Sequence, residues 1–110
     1  MPRFLLPSNS NMALRIGQLN CNRSSLVKAN LIDKILPDLD ICLLQEPNTV
    51  RKRLGNYGRG FQMIGWSDGD TRPRAAIVAR SSLPLWFAPQ FSNRDTATAI
   101  LQHNLSLIHI

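Results

Sequence analysis

Asp40-Ile41-Cys42-Leu43-Leu44-Gln45-Glu46-Pro47 is the stretch that decides the fold. From Ile41 to Leu44 it runs apolar without alternation, which marks a strand covered on both faces rather than one with a wet side. Pro47 cannot continue a central strand, so the run stops at Glu46, the only glutamate in the chain. A carboxylate placed there stands at the rim of a sheet, where the interior ends and a metal or substrate can reach it.

Upstream, Leu14-Arg15-Ile16-Gly17-Gln18-Leu19-Asn20 begins in strand alternation and ends on a polar amide. From Ser25 onward Val27, Leu31, Ile32, Ile35 and Leu36 follow helical spacing, with Ser24 or Ser25 as N-cap and Pro37 as the stop. Strand, helix, strand implies a right-handed crossover that lays the two strands parallel with their C-terminal ends at one rim. If the two strands lie close in the sheet, Asn20 and Glu46 are spatial neighbours.

Downstream of Pro47 a polar loop, residues 48–60, carries Arg51-Lys52-Arg53 and three glycines, Gly55, Gly58 and Gly60. Strands are expected over 61–66 and 75–78, as an antiparallel pair about the turn at Ser67-Asp68-Gly69-Asp70, and a last strand over 96–101. Residues 81–89, with Pro84 and Pro89, read as irregular. Residues 1–12 read as a flexible leader and 102–110 as a tail. One helix against about five strands is an unbalanced inventory for a closed α/β domain, which suggests part of something larger.

The chain has 110 residues, with 13 Lys and Arg against 7 Asp and Glu, a formal charge of +6. That excess favours a polyanionic partner such as nucleic acid, solubility being the bland alternative. Ten of the 13 are arginine, whose planar fork suits bidentate phosphate contact. Cys21 and Cys42 have no metal-ligand spacing and read as free, buried thiols, not as a disulfide scaffold. The opening apolar stretch is too short and too proline-broken for a signal peptide, and no run approaches membrane-spanning length. These features predict an intracellular protein, nuclear or cytoplasmic, without a membrane partner.

Leu14 to Asn20 followed by Leu43-Leu44-Gln45-Glu46-Pro47 resembles the first two motifs of the endonuclease/exonuclease/phosphatase superfamily. Arg72-Pro73-Arg74-Ala75-Ala76-Ile77-Val78 and Phe91-Ser92-Asn93-Arg94-Asp95 narrow the likeness to the apurinic-type endonuclease domain of non-LTR retrotransposons. The resemblance covers roughly residues 14–101. It implies the N-terminal half of a four-layer α/β sandwich of DNase I type with a mixed sheet, as a partial domain over residues 13–101. It also implies a metal-dependent phosphodiesterase that nicks DNA to prime reverse transcription, with DNA as substrate and a reverse transcriptase domain downstream. In such enzymes the glutamate matching Glu46 holds Mg²⁺, or Mn²⁺ in its place, and the asparagine matching Asn20 helps bind the metal or orient the catalytic groups. Mg²⁺ prefers hard oxygen ligands and commonly takes only one or two protein carboxylates.

The departures weigh as much. Family members complete the site with a tyrosine, an Asp-x-Asn motif and a terminal Ser-Asp-His, none of which follows Leu101. His103 and His109 lack a carboxylate in the right context, and Tyr57 precedes the strands that should come before the family's tyrosine. The expectation is a truncated endonuclease fragment, inactive alone. The alternatives are a fragment of another superfamily phosphodiesterase or phosphatase, and a non-catalytic basic nucleic-acid-binding module. The tail Leu105-Ser106-Leu107-Ile108-His109-Ile110 resembles translated adaptor sequence, or is an ordinary apolar strand.

Each candidate residue has a plainer role beside its functional one. Glu46 by itself is a solvated strand end, and Asn20 a turn former. Arg51, Lys52 and Arg53 are candidate DNA-backbone contacts or a solvated loop, and Arg23 and Lys28, just beyond Asn20, stand on the same footing. Tyr57 and Phe61 pack locally more readily than they stack on bases. Asp95 reads as a turn cap, and Trp66 and Trp86 as core or rim packing.

Overall fold

The structure is a computed structural model that describes residues 3–7, 13–66, 68–102 and 106–109. A main sheet is built from β1 (Arg3–Pro7), β2 (Ala13–Asn20), β3 (Ile41–Gln45), β6 (Phe61–Ile64) and β7 (Ala75–Arg80), in the order β1-β2-β3-β7-β6. The small hairpin of β4 (Thr49–Val50) and β5 (Arg53–Leu54) stands apart from it. A second sheet holds β8 (Leu85–Phe87), β9 (Thr98–Leu101) and β10 (Ser106–His109), with β9 in the middle.

The expected strand-helix-strand unit forms. β2 and β3 pair in parallel, from Ile16 opposite Ile41 to Asn20 opposite Gln45. Between them α1 (Ser25–Asn30) starts at Ser24, whose hydroxyl accepts the Val27 N–H at 3.1 Å. The helix does not run straight to Pro37. It passes into one π-type turn, Leu31–Ile35, and a 3-10 turn, Leu36–Asp38, and the Leu36 N–H reaches back to the Leu31 carbonyl. A five-residue step stacks Leu31 and Leu36 over one another, and with Leu39 both are fully buried against the sheet.

β3 and β7 lie at the centre of the molecule because the main sheet is covered on both sides. Alternate residues of β7 serve the two faces. Ala75, Ile77 and Ala79 pack with Ile16, Ile41, Leu85 and Ala99 toward the second sheet. Ala76 and Val78 join Cys42, Leu44, Leu36 and Tyr57 under the helix. The layers are therefore helix, mixed sheet, second sheet. Cys21 and Cys42 are free and buried, as read from the sequence.

Four short strands differ from the sequence reading. Within the expected leader, Arg3–Pro7 pairs antiparallel with β2, because the outer edge of β2 offers backbone groups to the apolar Phe4-Leu5-Leu6 segment. The loop over 48–60 contains the β4–β5 hairpin, and the irregular stretch over 81–89 contains β8. Strands of two or three residues are too short to show a period. In the tail, Ser106–His109 pairs with β9, while His103 lies outside the described residues. Among the described residues no helix is long and apolar enough to cross a membrane.

The end of β3 opposite Glu46 is closed by Asp40. Its carboxylate accepts the Arg15 N–H at 2.8 Å and pairs with the Arg80 guanidinium at 3.3 Å. That acid ties three strands together and serves the fold.

Candidate functional site

The backbone at the C-terminal rim of β2 and β3 stays paired beyond the strand ends. The Cys21 N–H donates to the Gln45 carbonyl, the Arg23 N–H to the Glu46 carbonyl, and the Glu46 N–H to the Arg74 carbonyl, each at 2.8 Å. Along this rim Asn22, Arg23 and Glu46 adopt left-handed conformations, with φ of 49°, 57° and 49°. Asparagine tolerates that region, whereas for arginine and glutamate it is unfavourable by about 1–3 kcal/mol each. The three rim hydrogen bonds hold the turn in place against that preference, and turn Glu46 out of the strand direction.

The Glu46 side chain lies between two guanidiniums. Arg23 Nε donates to Oε2 at 3.0 Å, and Arg74 presents both Nε and Nη2 to Oε1 at 2.7 Å. Arg74 Nη1 also reaches Asp95 Oδ1 at 3.4 Å, and Arg94 Nε approaches the same oxygen at 3.7 Å. The Glu46 side chain is 20% exposed and each of the two arginines 47%, so the pairs sit at the surface with the arginine side open. Hydrogen bonds from Arg74 and then Arg23 hold the Glu46 carboxyl below its ordinary value of 4.5, which keeps it anionic at neutral pH. The same pairing raises the Arg74 guanidinium.

Asn20 stands opposite Gln45 in the parallel ladder, one residue from Glu46 along β3. It is exposed, and its Oδ1 accepts the Asn22 N–H at 3.0 Å. The topology thus brings Asn20, Arg23 and Glu46 to one rim. Lys28 goes elsewhere: its Nζ lies 4.7 Å from the centre of the Tyr57 ring and covers Gly55, where an added Cβ would sit 2.7 Å from it. Tyr57 is buried, and its hydroxyl donates to the Asn48 carbonyl at 3.4 Å, consistent with local packing. Asn48 in turn donates from Nδ2 to the Arg23 carbonyl at 3.2 Å. Arg51 and Lys52 form the two-residue turn of the β4–β5 hairpin with φ of 53° and 66°, as a type I′ turn requires. They and Arg53 are exposed, without an ion-pair partner among the described residues.

Arg74 and Asp95 belong to this cluster, and sequence reasoning did not place them in the site. Asp95 does not cap a turn through its carboxylate: its N–H donates to Asn93 Oδ1, and the carboxylate faces Arg74 and Arg94. The signal for Arg74 lay in its place just before β7. Because β7 runs antiparallel to β3, with Ala75 opposite Gln45, the start of β7 meets the end of β3 at this rim.

Chemically, the rim offers the Glu46 carboxylate and the Asn20 amide oxygen as oxygen donors, with the Asp95 carboxylate beyond Arg74, in a strongly cationic setting. That donor set fits a hard cation such as Mg²⁺ better than a soft one. It is a partial set: among the described residues no three His, Cys, Asp or Glu side chains group to hold an ion.

The helix layer, the mixed sheet and the second sheet together define a partial DNase I-like α/β fold. The chain is similar to a solved structure, the endonuclease domain of TRAS1, a telomere-specific non-LTR retrotransposon, with a TM-score of 0.62 and 24% sequence identity. The match covers 84% of this chain and 40% of that one, so this chain spans about two-fifths of the related structure's length. No family model and no curated protein matches the chain.

Proposed function

We propose that this chain is the N-terminal part of a metal-dependent DNA endonuclease that nicks target DNA for retrotransposition. The single observation that carries the reading is the Glu46 carboxylate, held at the sheet rim in a left-handed conformation, one register step from Asn20. The likeness to a retrotransposon endonuclease domain supports DNA as the substrate class. A reverse transcriptase as a companion domain is part of the same proposal.

On this reading Glu46 and Asn20 hold Mg²⁺, which when bound supplies charge neutralisation at the scissile phosphate. Arg23 lends positive charge beside it. Arg51, Lys52 and Arg53 add affinity along the phosphate backbone without reading sequence. The tyrosine, Asp-x-Asn and Ser-Asp-His groups of the resembling family have no match in these residues, so we read this chain as inactive by itself.

The test is Mg²⁺-dependent nicking of supercoiled plasmid by a domain extended to the full length of the related fold, compared with its Glu46→Ala variant. Loss of nicking in the variant supports the reading, and equal nicking removes Glu46 from the mechanism. DNA binding with no nicking by the extended domain would favour the non-catalytic basic module.

A further inference from the structure

We propose that Arg23 and Arg74 form a phosphodiester-binding clamp that Glu46 fills at rest, so that a divalent cation drawn to Glu46 and a phosphodiester drawn to the two guanidiniums bind cooperatively. The cation half rests on the nuclease reading above. The anion site and the coupling go beyond it.

The Glu46 carboxylate is a two-oxygen anion gripped from two sides, by Arg23 on Oε2 and by the fork of Arg74 on Oε1. Charge-assisted contacts of that kind hold the two non-bridging oxygens of a phosphodiester equally well, so the carboxylate occupies the place of the ligand. The clamp survives without it. Arg23 is anchored by its N–H on the Glu46 carbonyl and by Asn48 on its own carbonyl, and the Arg74 carbonyl holds the Glu46 N–H. Asp95, 3.4 Å from Arg74 Nη1, keeps that guanidinium at the rim when the Glu46 side chain turns away. Both arginine side chains are 47% exposed, which leaves their outer edges open to an incoming anion.

Glu46 Oε2 takes one guanidinium N–H and Oε1 takes two, so a cation that ligates Glu46 competes with the arginines for the carboxylate's lone pairs. Turning it toward a cation frees N–H donors of Arg23 and Arg74. A phosphodiester on those donors in turn frees Glu46. Such coupling is reciprocal, each ligand tightening the other by the same factor. Among the described residues Arg51, Lys52 and Arg53 have no carboxylate to exchange, and they take no part in it.

The experiment is the binding of a short fluorescein-labelled DNA duplex to the full chain, followed by anisotropy at low salt in EDTA, so that no cleavage is measured. Glu46→Gln empties the clamp of its charge and is expected to tighten binding about tenfold, the scale of one charge-assisted contact. Asp70→Asn controls for the loss of any one negative charge and is expected to change little. Adding Arg74→Gln or Arg23→Gln to Glu46→Gln is expected to return affinity to the wild-type level. A Glu46→Gln gain no larger than that of Asp70→Asn, or a gain that survives loss of both arginines, overturns the clamp. Should Glu46→Gln fail to fold, calorimetric Mg²⁺ binding to the wild-type chain decides. A dithymidine monophosphodiester should tighten it, and an unchanged Mg²⁺ affinity overturns the coupling. A failed clamp leaves the nicking test of the extended domain standing, and a failed nicking test leaves these binding results standing.

Discussion

Glu46 and Arg74 meet twice: the Glu46 backbone N–H donates to the Arg74 carbonyl at 2.8 Å, and the Arg74 guanidinium returns to Glu46 Oε1 at 2.7 Å. The first contact carries the β3–β7 ladder one residue beyond Gln45 and Ala75, and the second closes a ring around the left-handed turn. The position of the acid is therefore set by the pairing of two central strands, and its charge state by the side chain that pairing delivers.

Acid should loosen this ring. Arg74 and Arg23 hold the folded Glu46 carboxyl below its ordinary 4.5, so the folded chain keeps this proton less readily than the unfolded one. The resulting stabilisation is complete above 4.5 and is lost as pH falls below it through the lowered folded value. Thermal melts of wild type and Glu46→Gln, taken from neutral pH down to about pH 3, should show a Tm gap that closes in acid. A gap independent of pH would contradict the ion-pair account.

Salt titration separates the hairpin cations from a merely solvated loop. If Arg51, Lys52 and Arg53 each neutralise a phosphate, replacing all three by alanine should lower the slope of log K against log salt by roughly 0.9 for each phosphate left without its cation. An unchanged slope would exclude the hairpin from the DNA interface.

Ile77 lies in the middle of β7, fully buried between the two sheets, with Ile41 and Ala99 in the same cluster. Ile77→Ala should destabilise by about 2–5 kcal/mol in urea unfolding. Val50, exposed on the hairpin, should tolerate alanine within about 0.5 kcal/mol. Similar losses at both positions would mean that the two-sheet core is not packed as described.

Burial pushes the thiols of Cys21 and Cys42 up to about 11 and about 12, so almost no thiolate exists at neutral pH. Both should resist Ellman's reagent in the native chain and react once it is unfolded in denaturant. Rapid native labelling would show that the helix-side core opens readily.

Trp86, Phe87 and Phe91 are 50%, 38% and 57% exposed, and β8 is an edge strand of the second sheet. Exposed aromatic side chains on and beside an edge strand favour self-association. The chain should sediment as more than a monomer, and Trp86→Ser with Phe91→Ser should raise its soluble fraction. A monomeric wild-type chain with a cooperative thermal transition would refute this.

Local patterns determined the core of this protein. The unbroken apolar run Ile41 to Leu44 and the Ser24 cap specify strand, helix start and strand, and the crossover rule lays the two strands parallel, because each step depends on neighbours in sequence. The direct pairing of β2 with β3, which brings Asn20 and Glu46 to one rim, belongs to the tertiary structure. Tertiary structure alone decided which cations face the acid. Arg74 and Asp95 arrive through the antiparallel pairing of β3 with β7 and through a turn far along the chain, which leave no period in the sequence. The left-handed backbone of Glu46 is equally non-local, since it depends on hydrogen bonds to Arg23 and Arg74 that form only when three distant segments meet.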